Sequence, residues 1–251
     1  SMNGQSLESG DDGKQYSAYH SYWPVSTGWM GENADVFANA TSADIPIVPI
    51  EPHFGSFDEL KSLIGACHKR GIRVLIDFAA NHVHEDSPVY KKHKEYFNTS
   101  EVHICNGDNG ANWNKYPIIC WFAPNLPDFN YEVPEARRLM VEHAKWLIRE
   151  TNIDGFRVDA VKHMTKQFVV DLRHGIDEMF KNTGLTFYMV GETFEFNADQ
   201  LKEYIGKDYL HGQFDFGFYG QIKDHILSIP HENAKFYHIK NFTEGNDTTY
   251  D

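Results

Sequence analysis

Cysteine is scarce in this chain of 251 residues, which holds only Cys67, Cys105 and Cys120. That excludes a scaffold held together by many disulfides. Basic residues are also few, 23 Lys and Arg against 36 Asp and Glu, for a formal charge of −13. Phosphate recognition needs a basic face, so nucleic acid is not an expected partner. No apolar run approaches the roughly 18 residues of a membrane span, so no membrane partner is expected. No leader peptide is read at the start, and any leader is taken to have been removed. The HExxH spacing of zinc hydrolases is missing.

What is present is a globular composition, 41% hydrophobic and 24% charged, long enough for one large α/β domain or two small ones. Aromatics reach 14%, a weak pointer to ring-stacking ligands because most aromatic side chains are core. The acidic balance suits a neutral or cationic ligand.

The chain is organised around Asn152–His163, Asn-Ile-Asp-Gly-Phe-Arg-Val-Asp-Ala-Val-Lys-His. Gly155–Val158 reads as a short buried strand that ends in charge: Arg157, Asp159, Lys162 and His163. Ligands of (β/α) enzymes sit beyond the carboxyl ends of parallel strands. An Arg one pleat from an Asp holds that carboxylate ionised and oriented, as a nucleophile requires. A surface salt-bridge cluster is the plainer alternative.

Other elements alternate around this strand. Residues 1–20 are polar and read as loop, and 45–50, with two prolines, as an edge or irregular strand at best. Ser56-Phe-Asp-Glu59 has capping-box spacing. Leu60, Leu63, Ile64 and Cys67 follow at helical intervals, which predicts a buried Cys67 thiol, and Gly71 is a stop signal. Residues 73–78 form a β run with Asn81-His82 at its exit. Residues 83–130 carry no dependable period and read as a small irregular subdomain, within which Cys105 and Cys120 could pair or stay free. A bridge there would imply an oxidising compartment. Helices are predicted from Pro134 up to the central strand, over 165–181, over 197–205 and over 219–228. Strands are predicted at 187–190 and 213–216. This βα alternation predicts a parallel sheet or barrel with right-handed crossovers.

Three strand exits carry acids or imidazoles: Asp77 with Asn81-His82, Asp159 with Lys162-His163, and Glu192. In a parallel barrel they share one mouth. Paired-carboxylate chemistry is one reading, with one acid attacking while the other moves a proton. A divalent-metal hydrolase built on the same Asp, Glu and His is the other. Asp77, inside its strand, reads as structural. The acids Glu85, Asp86 and Asp108 read as solvated, and the Asn-x-Ser/Thr triplets at Asn39, Asn98, Asn241 and Asn246 as chance.

At this point the residues resemble a known family. Leu75-Ile-Asp77-Phe-Ala-Ala-Asn81-His82, Gly155-Phe-Arg157-Val-Asp159-Ala-Val-Lys162-His163 and Val190-Gly-Glu192-Thr193 are similar to three signatures of glycoside hydrolase family 13, the α-amylase family. Leu126-Pro127-Asp128-Phe-Asn130 and Tyr19-His20-Ser-Tyr22-Trp23-Pro24 resemble two further segments, all five in the family's order. The resemblance implies a partial (β/α)8 TIM barrel with a small irregular domain B after the third strand. Residues 1–82 would open the barrel, 83–130 would be the domain B-like insertion, and 131–251 would continue the barrel.

The implied roles follow residue by residue. Asp159 would be the nucleophile and Glu192 the acid/base of a retaining mechanism, with carboxyls about 5–5.5 Å apart and Glu192 raised in pKa. Arg157 would hold Asp159. His82 would bond the sugar under attack, and Tyr22, beside Trp23, would stack on it. Lys162 and His163 would contact the leaving-group side. Asn81, Asp128 and the His163 carbonyl would hold a structural Ca²⁺, which favours oxygen ligands. The expected substrate is an α-1,4-glucan and the expected location secreted or periplasmic. Transglycosylation, and a non-catalytic binding or assembly role on the same fold, stay open.

Two departures temper the resemblance. Only the third to sixth barrel strands are found, and the family's fourth signature, Phe-x-x-Asn-His-Asp with its third carboxylate, is missing. Residues 1–251 alone are therefore expected to be inactive, with the remainder of a barrel as partner.

Overall fold

The computed structural model describes residues 56–85, 87–99 and 103–228, together with the backbone of two short strands nearer the start. Those two, β1 (Leu7–Ser9) and β2 (Gln15–Ser17), pair antiparallel where the sequence reads as loop. Three-residue strands are too short to show an alternation. Tyr22, Trp23 and the 45–50 segment lie outside the described residues.

The described core is a four-stranded parallel sheet, in the order β3 (Leu75–Phe78), β6 (Gly155–Val158), β7 (Tyr188–Gly191), β8 (Gly212–Gln213). Each strand follows the last through a helix-bearing crossover, the expected βα alternation. Helix α1 (Phe57–His68) precedes β3, and its capping box is formed as its spacing predicts: Ser56 Oγ accepts from Glu59 N while Glu59 accepts from Ser56 N. Between β3 and β6 come the short α2 (Pro88–Lys92), β4 (His103–Ile104), α3 (Asn112–Lys115), β5 (Cys120–Trp121) and the long α4 (Pro134–Thr151). Helix α5 (Lys166–Phe180) links β6 to β7. Helix α6 (Ala198–Leu201) leads towards β8, and α7 (Phe216–Ile222) follows it.

One face of the sheet is apolar and one is not, because strand side chains alternate. Phe78, Phe156, Val158 and Met189 are fully buried. The rings of Phe78 and Phe156 stack at 4.6 Å, and Phe156 meets Phe187 edge-on at 4.9 Å. The faces of α4 (Leu139, Met140, Ala144, Leu147, Ile148) and α5 (Phe168, Val169, Leu172, Ile176) are buried, as their spacing predicts. Gly155 opens β6 because a Cβ there would lie 2.4 Å from the Tyr188 carbonyl oxygen. The neighbouring strand comes too close for any side chain.

Several expectations need correction. Leu63 is 57% exposed and Cys67 is a free, half-buried thiol, because α1 buries only the narrow stripe of Leu60 and Ile64. The predicted strand 213–216 is only Gly212–Gln213, since Asp215 accepts from Phe218 N and starts α7 there. The helix predicted over 219–228 is α7 passing into a π turn, Lys223–Leu227. The 197–205 helix is α6 plus a 3-10 turn, Lys202–Tyr204. Within 83–130 the elements are too short for periodicity to reveal. They are held by a Cys105–Cys120 disulfide across 15 residues of separation.

His143 on α4 is fully buried against Phe78 and Trp146. Burial pushes its pKa down to about 3, so the folded chain keeps it neutral. The unfolded chain takes up a proton at this residue below about pH 6.5, which favours unfolding as the pH falls from there towards 3. We expect His143→Met to remove up to about 1.4 kcal/mol per pH unit of acid sensitivity in that window. Urea unfolding at pH 7.5 and pH 5 checks this; an unchanged difference between the two pH values would rule it out.

Candidate active site

The parallel register builds the site. Asp77 of β3 lies level with Arg157 of β6, which lies level with Val190 of β7. Asp159 and Glu192 follow one residue beyond the ends of β6 and β7. The backbone ladder continues past both ends: Asp159 N donates to Phe78 O, Glu192 N to Val158 O, and Val161 N to Glu192 O. Alternation puts Asp77, Arg157, Asp159 and Glu192 on the face opposite the apolar core.

Arg157 gathers the three acids. Its Nη1 donates to Asp77 Oδ1 at 2.6 Å and to Asp159 Oδ1, and its Nη2 lies 2.6 Å from Glu192 Oε2. The guanidinium also lies over the Phe214 ring, 5.9 Å from its centroid. Burial works against the Arg157 charge, but Asp159, Asp77 and Glu192 outweigh it and hold the cation more firmly than usual. Glu192 is shifted up, first by burial and then by the nearby Asp159 charge, with Arg157 opposing. This is the direction an acid catalyst needs. The Asp159 and Glu192 carboxylates share this one guanidinium, Asp159 on Nη1 and Glu192 on Nη2. That cation occupies the space between the acids, which disfavours the metal-hydrolase reading of the same residues.

A cleft of about 590 Å³ opens beside Glu192. Trp113, Phe122, Lys162, His163, Phe194 and Glu195 are among its walls. Lys162 Nζ donates to Asn114 Oδ1 at 2.7 Å and to Glu195 Oε2 at 3.0 Å. His163 is 2% exposed, its ring set edge-on to Trp113 and Phe122. Pro117 O can only accept, so His163 Nδ1, at 2.7 Å, carries the proton. Burial keeps this ring neutral, with its pKa lowered to about 4. His82 is also buried, with Nδ1 3.1 Å from Asn81 Oδ1 and its ring beside Phe122, so it sits in the wall rather than in the open cleft.

Asn81, Asp128 and His163 come together as the sequence suggests. Asn81 Nδ2 donates to Asp128 Oδ1 at 2.5 Å and to the His163 carbonyl at 2.9 Å. Asp128 is fully buried, and burial raises it well above the usual carboxylate range despite the amides of Asn98 and Asn81. A carboxylate, a carbonyl and an amide that can present its oxygen by a half-turn form an oxygen-rich donor set, which suits a hard cation. His82-Val83-His84 has an HxH spacing, yet His84 turns to Asn125 Nδ2 at 3.3 Å. Among the described residues, the three ligating side chains close enough to share an ion are Cys105, Cys120 and His163, and the two cysteines are bridged.

The sequence reading missed four participants. Asn98 reads as a chance glycosylation triplet, but its amide donates to Asp128 Oδ2 at 2.6 Å and to the Ile118 carbonyl at 3.1 Å. Trp113 and Asn114 arrive on a loop with no period. Glu195 lies three residues past Glu192, and a lone acid between Phe194 and Phe196 was the available signal.

The profile of the family described as alpha amylase, catalytic domain, matches residues 44–246. A beta/alpha-amylase of Paenibacillus polymyxa is 32% identical over 180 residues, covering 70% of this chain and 14% of that protein. A cyclomaltodextrinase of a Bacillus species is 29% identical over 189 residues, covering 70% of this chain and 32% of that protein. The crystal structure of an alpha-amylase from Geobacillus thermoleovorans, complexed with acarbose, superposes with a TM-score of 0.69 at 30% identity, over 81% of this chain and 43% of that one. The chain thus spans less than half the length of these relatives. With the family profile matched over most of its length and the acids gathered at parallel strand ends, the chain belongs to the α-amylase catalytic-domain family.

Proposed function

We propose that this chain carries the central catalytic groups of a retaining glycoside hydrolase acting on α-1,4-glucans. The observation that carries the reading is the pair Asp159 and Glu192, on neighbouring strand exits, joined by Arg157 at the edge of an aromatic-walled cleft. Arg157 orients Asp159 through their contact, and the Asp159 carboxylate attacks the anomeric carbon. Glu192, whose pKa burial shifts upward, donates its proton to the glycosidic oxygen as that bond breaks. The resulting Glu192 carboxylate then takes a proton from water, and the water oxygen displaces Asp159 from the sugar. Lys162 and His163 meet the leaving side, and Tyr22, beside Trp23, is the proposed platform on which the ring stacks. A sugar acceptor in place of water gives transfer, and the aromatic cleft beside Glu192 would seat such an acceptor.

Asn81, Asp128 and the His163 carbonyl are the proposed holders of a structural Ca²⁺, which would supply a positive charge that none of the described residues brings to the buried Asp128. The partner we propose for strands β3 and β8, the edges of the described sheet, is further barrel, matching the greater length of the relatives. The Cys105–Cys120 bridge supports folding in an oxidising compartment, secreted or periplasmic.

Three measurements test these proposals. In the full-length protein, Glu192→Gln is expected to lower kcat on maltoheptaose by at least about 10³-fold, within the range of lost acid–base catalysis; unchanged turnover would refute the assignment. Calcium is expected to raise the melting temperature of the wild type but not of Asp128→Asn, and an equal rise in both would remove the metal site. Peptide mapping of the denatured, unreduced protein should find Cys105 and Cys120 in one disulfide-linked pair and Cys67 as a free thiol; free thiols at Cys105 and Cys120 would mean the bridge does not form in the cell.

A further inference from the structure

The cleft is lined by Glu192 and its neighbours but not by Asp159. The acid protonates the leaving oxygen, so the glucan-cleaving reading, on which this inference rests, makes this cleft the place of the departing sugar. Lys162 stands in its wall with its side chain only 14% exposed. A lysine ammonium on four flexible carbons is a poor positioning group unless something fixes it. Here two elements do. Asn114 reaches it from the loop closed by the Cys105–Cys120 bridge, and Glu195 from the exit of β7.

Glu195 is itself held. Its Oε1 accepts from Phe196 N at 2.9 Å and from Asn197 N at 3.2 Å, which leaves Oε2 aimed at Lys162. Phe194 and Phe196 on either side line the same cleft. The residue therefore joins the backbone just past the acid catalyst to Lys162, the one cation among the described residues of the cleft wall.

We infer that Glu195 is a positioning residue for the leaving-group side: together with Asn114 it orients the Lys162 ammonium, and through it the departing sugar. Glu195 touches no reacting atom. A purely local role, tying down the turn before α6, is the rival account.

The test is Glu195→Gln in the full-length enzyme, assayed on maltoheptaose and on α-maltosyl fluoride. The amide oxygen of Gln keeps an acceptor for the two backbone N–H groups while removing the charge. Fluoride leaves without a sugar in the cleft. We expect kcat/KM on maltoheptaose to fall at least about tenfold more than on the fluoride, as loss of one charge-assisted contact gives. In a Lys162→Met background the same substitution should have no further selective effect, because Glu195 acts through that ammonium. Equal losses on both substrates, no loss on either, or an undiminished selective loss without Lys162 would overturn the inference. A wild-type enzyme inert on both substrates would instead refute the glucan-cleaving reading, and this inference with it.

Discussion

One guanidinium holds the polar face of this sheet together. Arg157 meets acids from three consecutive parallel strands or their exits: Asp77, Asp159 and Glu192. Three carboxylates so close would repel one another, and a half-buried Arg would be costly alone. Together they compensate, and the arrangement works only because the register sets Asp77 level with Arg157 and brings Asp159 and Glu192 two residues further along the same face. A one-residue slip would turn Arg157 into the aromatic layer of Phe78 and Phe156. The helices α4 and α5 prevent that slip by burying the opposite face.

The insertion between β3 and α4 serves this centre from above. It has little secondary structure of its own and relies on other constraints. The disulfide closes the loop that delivers Trp113 and Asn114. Asn98 and Asp128 tie it to Asn81, at the exit of β3. Tyr131, stacked on Phe168 at 4.0 Å, anchors its far end to α5 and donates to the Ala80 carbonyl. Small irregular segments commonly need such staples because they bury too little apolar surface to offset their ordering entropy.

Much of the layout was legible in the residues. Helix α1 announced its start by Ser56 and Glu59, and α4 and α5 by apolar spacing that matches their buried faces. The candidate acids were legible as charge placed where short apolar strands stop. What escaped notice lies where no period exists: Asn98, Trp113 and Asn114 sit on loops whose course depends on contacts far away in sequence. Leu63 and Cys67 were misread for a related reason, since helical spacing gives a stripe but not the width of what covers it.

The alternation of strand and helix, the apolar face of the sheet and the identity of the acids at its exits are written in the residues themselves. Local sterics and a two-residue or 3.6-residue period suffice for these, since each is decided by neighbours along the chain. That Arg157 bridges both catalytic candidates, that His82 is enclosed, that Asn98 serves Asp128, and that Glu195 and Asn114 converge on Lys162 emerges only in the folded chain. Those facts depend on strand register and on where the inserted loop packs, and both are fixed by contacts between residues dozens of positions apart.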